Sequence, residues 1–440
     1  MLSFSCGLPP TTLTSVQTAR TRPGWAWLVV VAQTSLAFLP CPAGEAKPSD
    51  GRVEKLRVEA VDYFKARRYF QAIHSLETAL GIARDDERPE LQQLLARTRS
   101  ALGVDLFNSG ETRQAAEVFG EALQAAPDSY AHFGLGFLHF VKLEDDLASE
   151  HLNKALELEP QNAKAHKVLA VLEYRQGKTA QAILRMEKAC RLDPADKESR
   201  ALYERWKTES EFTTGFAERE RGKLSIRVDP KLASPLVDEV CVRLEKIRNE
   251  IFGIFTPTNL RRVVVVFFSQ ERFYRATRSY HWVGGFYDGQ VKVPLPEGSK
   301  LSPEALREVD DALRHEMTHV AVRALCPECP NWLNEGIAQY YEGKARGRNF
   351  REEFRSKRSQ RLHFKDVPAR LWEVDDEDVA RRTYLQGLAF VDYLVRRFQE
   401  FRIQLLLLSV AQEGSLSKAF QRTYGLSLDE AESLWWGEMD

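Results

Sequence analysis

The chain has almost no net charge. Its 440 residues carry 62 Lys and Arg against 63 Asp and Glu, a formal balance of -1. No global field draws it to nucleic acid or to an anionic membrane surface, so nucleic acid is not expected as a partner. Cysteine is scarce too. Six are present, and Cys6 and Cys41 fall within the first fifty residues. Cys190, Cys241, Cys326 and Cys329 are too few for a disulfide scaffold, so the fold must rest on a hydrophobic core. Long apolar runs are missing, with one short exception from Trp25 to Leu39. A membrane span needs about 20 apolar residues, more than this run supplies. Arg20 and Arg22 precede it, and Pro40, Pro42, Ala43, Gly44 and Ala46 follow. Residues 1–46 therefore read as a secretory signal or, if uncleaved, an N-terminal anchor. The expectation is an exported protein, periplasmic or extracellular, that meets a membrane only through that segment.

Periodicity replaces composition as the informative feature after residue 50. Gly103, Gly136 and Ala170 recur at intervals of about 34 residues, and so do Ala115, Ala148 and Ala182. Ala122, Ala155 and Ala189 keep the same register, as do Pro127, Pro160 and Pro194. Gly110 and Gly177 fall where a turn between two helices belongs, and Ala60, Ala72 and Ala79 mark a weaker copy upstream. Antiparallel helices approach closely only where small residues face each other, and a proline then ends the second helix of each unit. This pattern resembles the tetratricopeptide repeat, with about four copies over 53–200. An all-α solenoid is implied, and with it a protein partner held on the concave face.

The pattern changes after residue 200. The charged stretch 201–222 reads as a linker. Leu224 to Val228 alternates like a strand, and Leu236, Val240, Leu244, Ile247 and Ile251 recur at helical spacing. Val263 to Phe268 is a continuous apolar run that suits a buried strand. Gln290 to Leu295 reads as another strand, either an edge strand open to an extended substrate or an ordinary core strand. The region 223–440 is expected to be α+β at first and mainly helical later.

One helix carries chemistry. Ser302-Pro303 is a helix start, with serine at the cap and proline in the first turn. Leu306, Val309, Leu313, Met317, Val320 and Ala324 continue it at helical spacing. Inside it stands His315-Glu316-Met317-Thr318-His319. Residues at i and i+4 share a face, so both imidazoles reach one ion. Glu316 lies beside them, placed to take a proton from a metal-bound water. A further carboxylate, Glu335, follows in Asn331-Trp332-Leu333-Asn334-Glu335-Gly336-Ile337-Ala338, far enough on for the chain to turn at Pro327 and Pro330 and return.

These motifs resemble the gluzincin metallopeptidases, and in particular the bacterial peptidase-MA-like families. The resemblance covers about 223–440 and includes the Val283-Gly284-Gly285-Phe286-Tyr287-Asp288-Gly289 segment. It implies a thermolysin-like α+β peptidase domain with His315, His319 and Glu335 as zinc ligands, Glu316 as general base, and hydrolysis of a peptide bond by a zinc-activated water. It also implies a polar residue on a helix returning to the cleft. Tyr384 stands there, as an oxyanion donor or as a partly buried structural tyrosine. Two alternatives stay open: a repeat scaffold whose peptidase-like domain binds zinc without cutting, and a zinc amidase acting on cell-wall peptides. Cys326 and Cys329 suit a local disulfide that stiffens the loop between the two ligand helices. The basic run 344–365 is expected to be a solvated surface, with His363 incidental.

Overall fold

Four helical hairpins open the described chain: α1 (Gly51–Lys65) with α2 (Tyr69–Ile82), α3 (Arg88–Asn108) with α4 (Thr112–Ala125), α5 (Ser129–Val141) with α6 (Asp145–Leu158), and α7 (Ala163–Arg175) with α8 (Thr179–Leu192). The computed structural model describes residues 51–258, 262–277, 285–344, 362–364, 367 and 377–439. The leader 1–46, Val283, Gly284 and most of the basic run lie outside the described residues. The small residues do what their period required. Ala72, Ala79, Ala115, Ala122, Ala148, Ala155 and Ala182 are wholly buried, and the Gly136 Cα faces Leu152 so closely that a Cβ would sit 2.8 Å from its Cγ. The Asp128 and Asn162 side chains accept from the Ala131 and Ala165 amides and restart the helices after Pro127 and Pro160.

All four hairpins turn the same way. Arg67, Gly110, Leu143 and Gly177 each have positive φ, between 56° and 82°. Each turn is closed by a matching backbone bond: Arg68 N–H to Tyr63, Glu111 to Leu106, Glu144 to His139 and Lys178 to Glu173. Glycine adopts this conformation freely, whereas Arg67 and Leu143 each hold it at a cost of about 1 kcal/mol. The N-terminal half is thus a helical solenoid.

The stretch expected to be a linker is not one. Residues 197–213 form α9 (Lys197–Thr213), and β1 (Ala217–Arg221) follows it directly. Leu202, Trp206 and Thr213 are buried on one face of α9. The charges that suggested a linker occupy the remaining faces, and Glu209 is itself buried.

A five-stranded sheet comes next, in the order β1-β2-β3-β5-β4, with β2 (Leu224–Val228), β3 (Val263–Ser269), β4 (Phe286–Tyr287) and β5 (Val291–Leu295). β2, β3 and β5 are parallel, and antiparallel β1 and β4 flank them. Among the described residues β4 pairs with β5 at Val291 and Lys292 alone, while β3 pairs along the other side, so the edge-strand reading of 290–295 is met only in part. The crossovers are α10 (Ser234–Phe255) and α11 (Gln270–Thr277). The apolar run of β3 is explained by burial on both faces. Val263, Val265 and Phe267 join Val291, Val293 and Leu295 in the core under α10, while Val264, Val266 and Phe268 pack with Phe216 and Phe273 on the other side. That second face also meets the repeats, where Gly177 at the α7–α8 turn abuts the Val264 side chain.

Beyond β5 the described chain is helical: α12 (Pro303–Leu325), α13 (Asn331–Lys344), α14 (Glu377–Phe398), α15 (Phe401–Glu413), α16 (Leu416–Tyr424) and α17 (Leu428–Met439). The second half is thus mostly helical, built on one small sheet. No helix among the described residues is long and apolar enough to cross a membrane.

Candidate metal centre

The three side chains expected to hold a metal come from two successive helices. α12 starts as its sequence requires, with Ser302 Oγ accepting from the Ala305 amide at 3.2 Å. Val309, Leu313, Met317 and Val320 anchor it in the core. His315 and His319 lie one turn apart on a neighbouring stripe and face α13. α13 is held by Trp332, which stacks on Phe364 at 3.9 Å, and by Leu333 and Ile337 in the same core.

Three ligand atoms converge. His315 Nε2 and His319 Nε2 are 3.0 Å apart, and Glu335 Oε2 is 3.5 Å from the first and 3.7 Å from the second. Two ligands bound at about 2.1 Å to a tetrahedral zinc lie about 3.4 Å apart, so the triangle fits one such ion. Among the described residues this is the one group of three His, Cys, Asp or Glu side chains gathered closely enough for a metal. The chemistry of the donor set agrees, since two imidazoles and a carboxylate leave a fourth position open.

The outer nitrogens fix the orientation. His315 Nδ1 donates to Glu342 Oε2 at 3.0 Å, and His319 Nδ1 donates to Asn334 Oδ1 at 3.0 Å. Each bond sets the tautomer and turns Nε2 towards the shared point. Sequence reasoning missed both residues. Glu342 was findable, because it lies seven residues, two turns, after Glu335 and therefore on the same face of α13. Asn334 adjoins Glu335 but carried no distinct signal.

Burial alone would lower the His315 pKa, but hydrogen bonds to Glu335 and Glu342 outweigh it and hold the imidazole well above its ordinary 6.5. A proton on His315 would compete with any metal ion bound at this point.

Glu316 follows His315 on α12 and is 3% exposed. Its carboxylate rests against the chain just before β4: a Cβ on Gly285 would lie 3.2 Å from Glu316 Cγ and 3.3 Å from Oε1. Tyr384 lies on α14, half-buried, one turn before Gly387, the residue at which α14 crosses α13. Nearby Gln386 holds the Leu362 backbone at both its amide and its carbonyl. The disulfide expected between Cys326 and Cys329 is not formed, and both thiols are free. Burial, then the neighbouring Cys326, push the Cys329 thiol well above its usual range, which disfavours the thiolate that oxidation needs.

No curated protein matches the chain. A crystal structure of a thermophilic TPR protein of Thermus thermophilus aligns with 35% of this chain and 98% of its own, at 21% identity and a TM-score of 0.22. The tetratricopeptide repeat family matches residues 100–142 and 146–197. Residues 100–197 of the solenoid are accordingly tetratricopeptide repeats, modules that generally mediate binding to protein partners.

Proposed function

We propose that the protein is a zinc-dependent peptidase whose repeats bring a protein substrate or partner to the centre on α12 and α13. The observation that carries this is the convergence of His315, His319 and Glu335 with an adjacent buried carboxylate that is not one of the three ligands. His315, His319 and Glu335 hold the metal, and Glu342 and Asn334 aim the two imidazoles. When bound, zinc supplies a Lewis acid and makes a water acidic enough to act near neutral pH. Glu316 accepts that proton and delivers it to the leaving amine. Tyr384 donates to the oxyanion as charge develops there. In this reading the second half is a gluzincin-like domain, and residues 1–46 direct export or anchor the chain. Peptide and cell-wall amide bonds are both compatible with such a centre, and a protein or peptide substrate is favoured because the repeats are protein-binding modules.

The deciding experiment combines metal analysis of purified full-length protein with digestion of a diverse peptide library by wild type and Glu316→Gln. One zinc per chain is expected in both, with activity lost in the variant by about a hundred to ten-thousandfold. Equal cleavage by both would assign the activity to a contaminant. Zinc binding without cleavage of any peptide by wild type would leave a repeat scaffold with a zinc-binding domain.

A further inference from the structure

The repeats meet the second face of the sheet, opposite the core that carries α12. Lys292 sits in the middle of β5 between Val291 and Val293, so alternation turns its side chain away from the α10–α12 core. That side chain is fully buried. Its Nζ donates to Tyr174 Oη at 2.6 Å, to Glu209 Oε2 at 2.5 Å and to Asp288 Oδ2 at 2.8 Å. Tyr174 belongs to α7 and Glu209 to α9, while Asp288 lies in the turn of the β4–β5 hairpin. Tyr174 Oη in turn donates to Glu209 at 2.9 Å, and Arg205 stands 3.3 Å from Asp288. Gln290 Nε2 donates to the Tyr174 carbonyl at 2.6 Å, and Trp206 stacks on the Tyr174 ring at 4.3 Å.

Two cations and two carboxylates balance inside this cluster. A dry ionic group of this kind is weak evidence for stability, because desolvation offsets its attraction. Its consequence is geometric, since short contacts at low dielectric tie Lys292 to three partners at once. The hairpin that carries Lys292 and Asp288 is therefore fixed relative to α7 and α9. Gly285 links that residue's backbone to Glu316: a Cβ on Gly285 would lie 3.0 Å from the Lys292 carbonyl and 3.2 Å from Glu316 Cγ.

We infer that Lys292 is a positioning residue, held by Tyr174 and Glu209 of the helical array, that seats the hairpin against the Glu316 carboxylate. The array is thereby a structural support of the hairpin as well as the module proposed to recruit the substrate. The effect on turnover rests on the proposed role of Glu316, whereas the seating of the hairpin does not.

The test uses full-length Tyr174→Phe and Glu209→Gln, which keep side-chain volume, since Lys292→Met strands two buried carboxylates and risks misfolding. Amide hydrogen exchange over 285–293 is expected to quicken about tenfold in both, with exchange in α12 unchanged. Zinc content should stay at the wild-type level. On a peptide that wild type cleaves, kcat should fall about tenfold while KM stays within about twofold. A clamp that only holds the two halves together would loosen the whole sheet and leave kcat alone. Unchanged exchange over 285–293, or faster exchange with unaltered kcat, would overturn the inference. If wild type cleaves nothing, the proposed function fails on its own, and the exchange comparison still decides whether the cluster seats the hairpin.

Discussion

Gly336 and Gly387 bring two helices into backbone contact. A Cβ on Gly336 would lie 2.6 Å from the Gly387 carbonyl carbon and oxygen, and a Cβ on Gly387 would lie 2.5 Å from the Trp332 carbonyl oxygen. The crossing point fixes α13 against α14, and with it the proposed ligand Glu335, which is next to Gly336.

Gly336→Ala should therefore destabilise the protein and loosen its metal. Alanine gains about 1 kcal/mol over glycine in a helix interior. Overpacking costs about 1–3 kcal/mol, and here the obstacle is backbone with no rotamer to yield, so the clash wins. Gly253→Ala is the control. It lies within α10 with nothing near enough to meet a Cβ, and it should stabilise by up to about 1 kcal/mol. Denaturant melts of both variants check this, and equal stabilisation in the two would show that α13 and α14 do not touch as described.

The outer hydrogen bonds give a second prediction. Glu342→Gln keeps an acceptor for His315 Nδ1 but removes the charge, while Asn334→Ala removes the acceptor for His319 Nδ1 altogether. Loss of such partners costs about 10–100-fold in metal affinity. Competition with a zinc chelator should rank wild type tightest, Glu342→Gln next and Asn334→Ala weakest. Wild-type affinity in both variants would mean that zinc binds elsewhere.

How much of this was legible depended on how local each signal is. The His315-to-His319 spacing and the Ser302 cap lie within a few turns of one helix, and both stand where the sequence placed them. The repeat was legible through Gly110, Gly177 and the prolines, but Arg67 and Leu143 occupy equivalent turns without a glycine to announce them. α9 was misread because charge dominates its composition, while a single face carrying Leu202, Trp206 and Thr213 does the packing. Lys292 gave no signal. Within β5 it is one polar residue in an apolar strand, and its partners Tyr174 and Glu209 are over eighty residues away in sequence. The two-sided burial of β3 was foreseeable from its unbroken apolar run, but which elements cover each face was not.

The buried cluster predicts a pH dependence with a definite sign. Burial alone would raise the Asp288 pKa, but Lys292 and then Arg205 hold it below its ordinary 3.8. A carboxylate depressed on folding contributes stability that is fully present above the unfolded value and is lost as pH falls through the folded one. The window is thus below 3.8. In Asp288→Asn, Lys292 and Arg205 face one carboxylate, Glu209, and breaking a buried pair costs about 3–5 kcal/mol. At neutral pH the variant should be less stable than wild type by roughly that amount. As pH drops below 3.8, wild type protonates Asp288 and loses its advantage, while the amide of the variant has no proton to gain. The two stability curves should converge in acid. Urea midpoints measured for both proteins from neutral pH down through that window test this, and curves that stay parallel would show that Asp288 is not held ionised by Lys292 and Arg205.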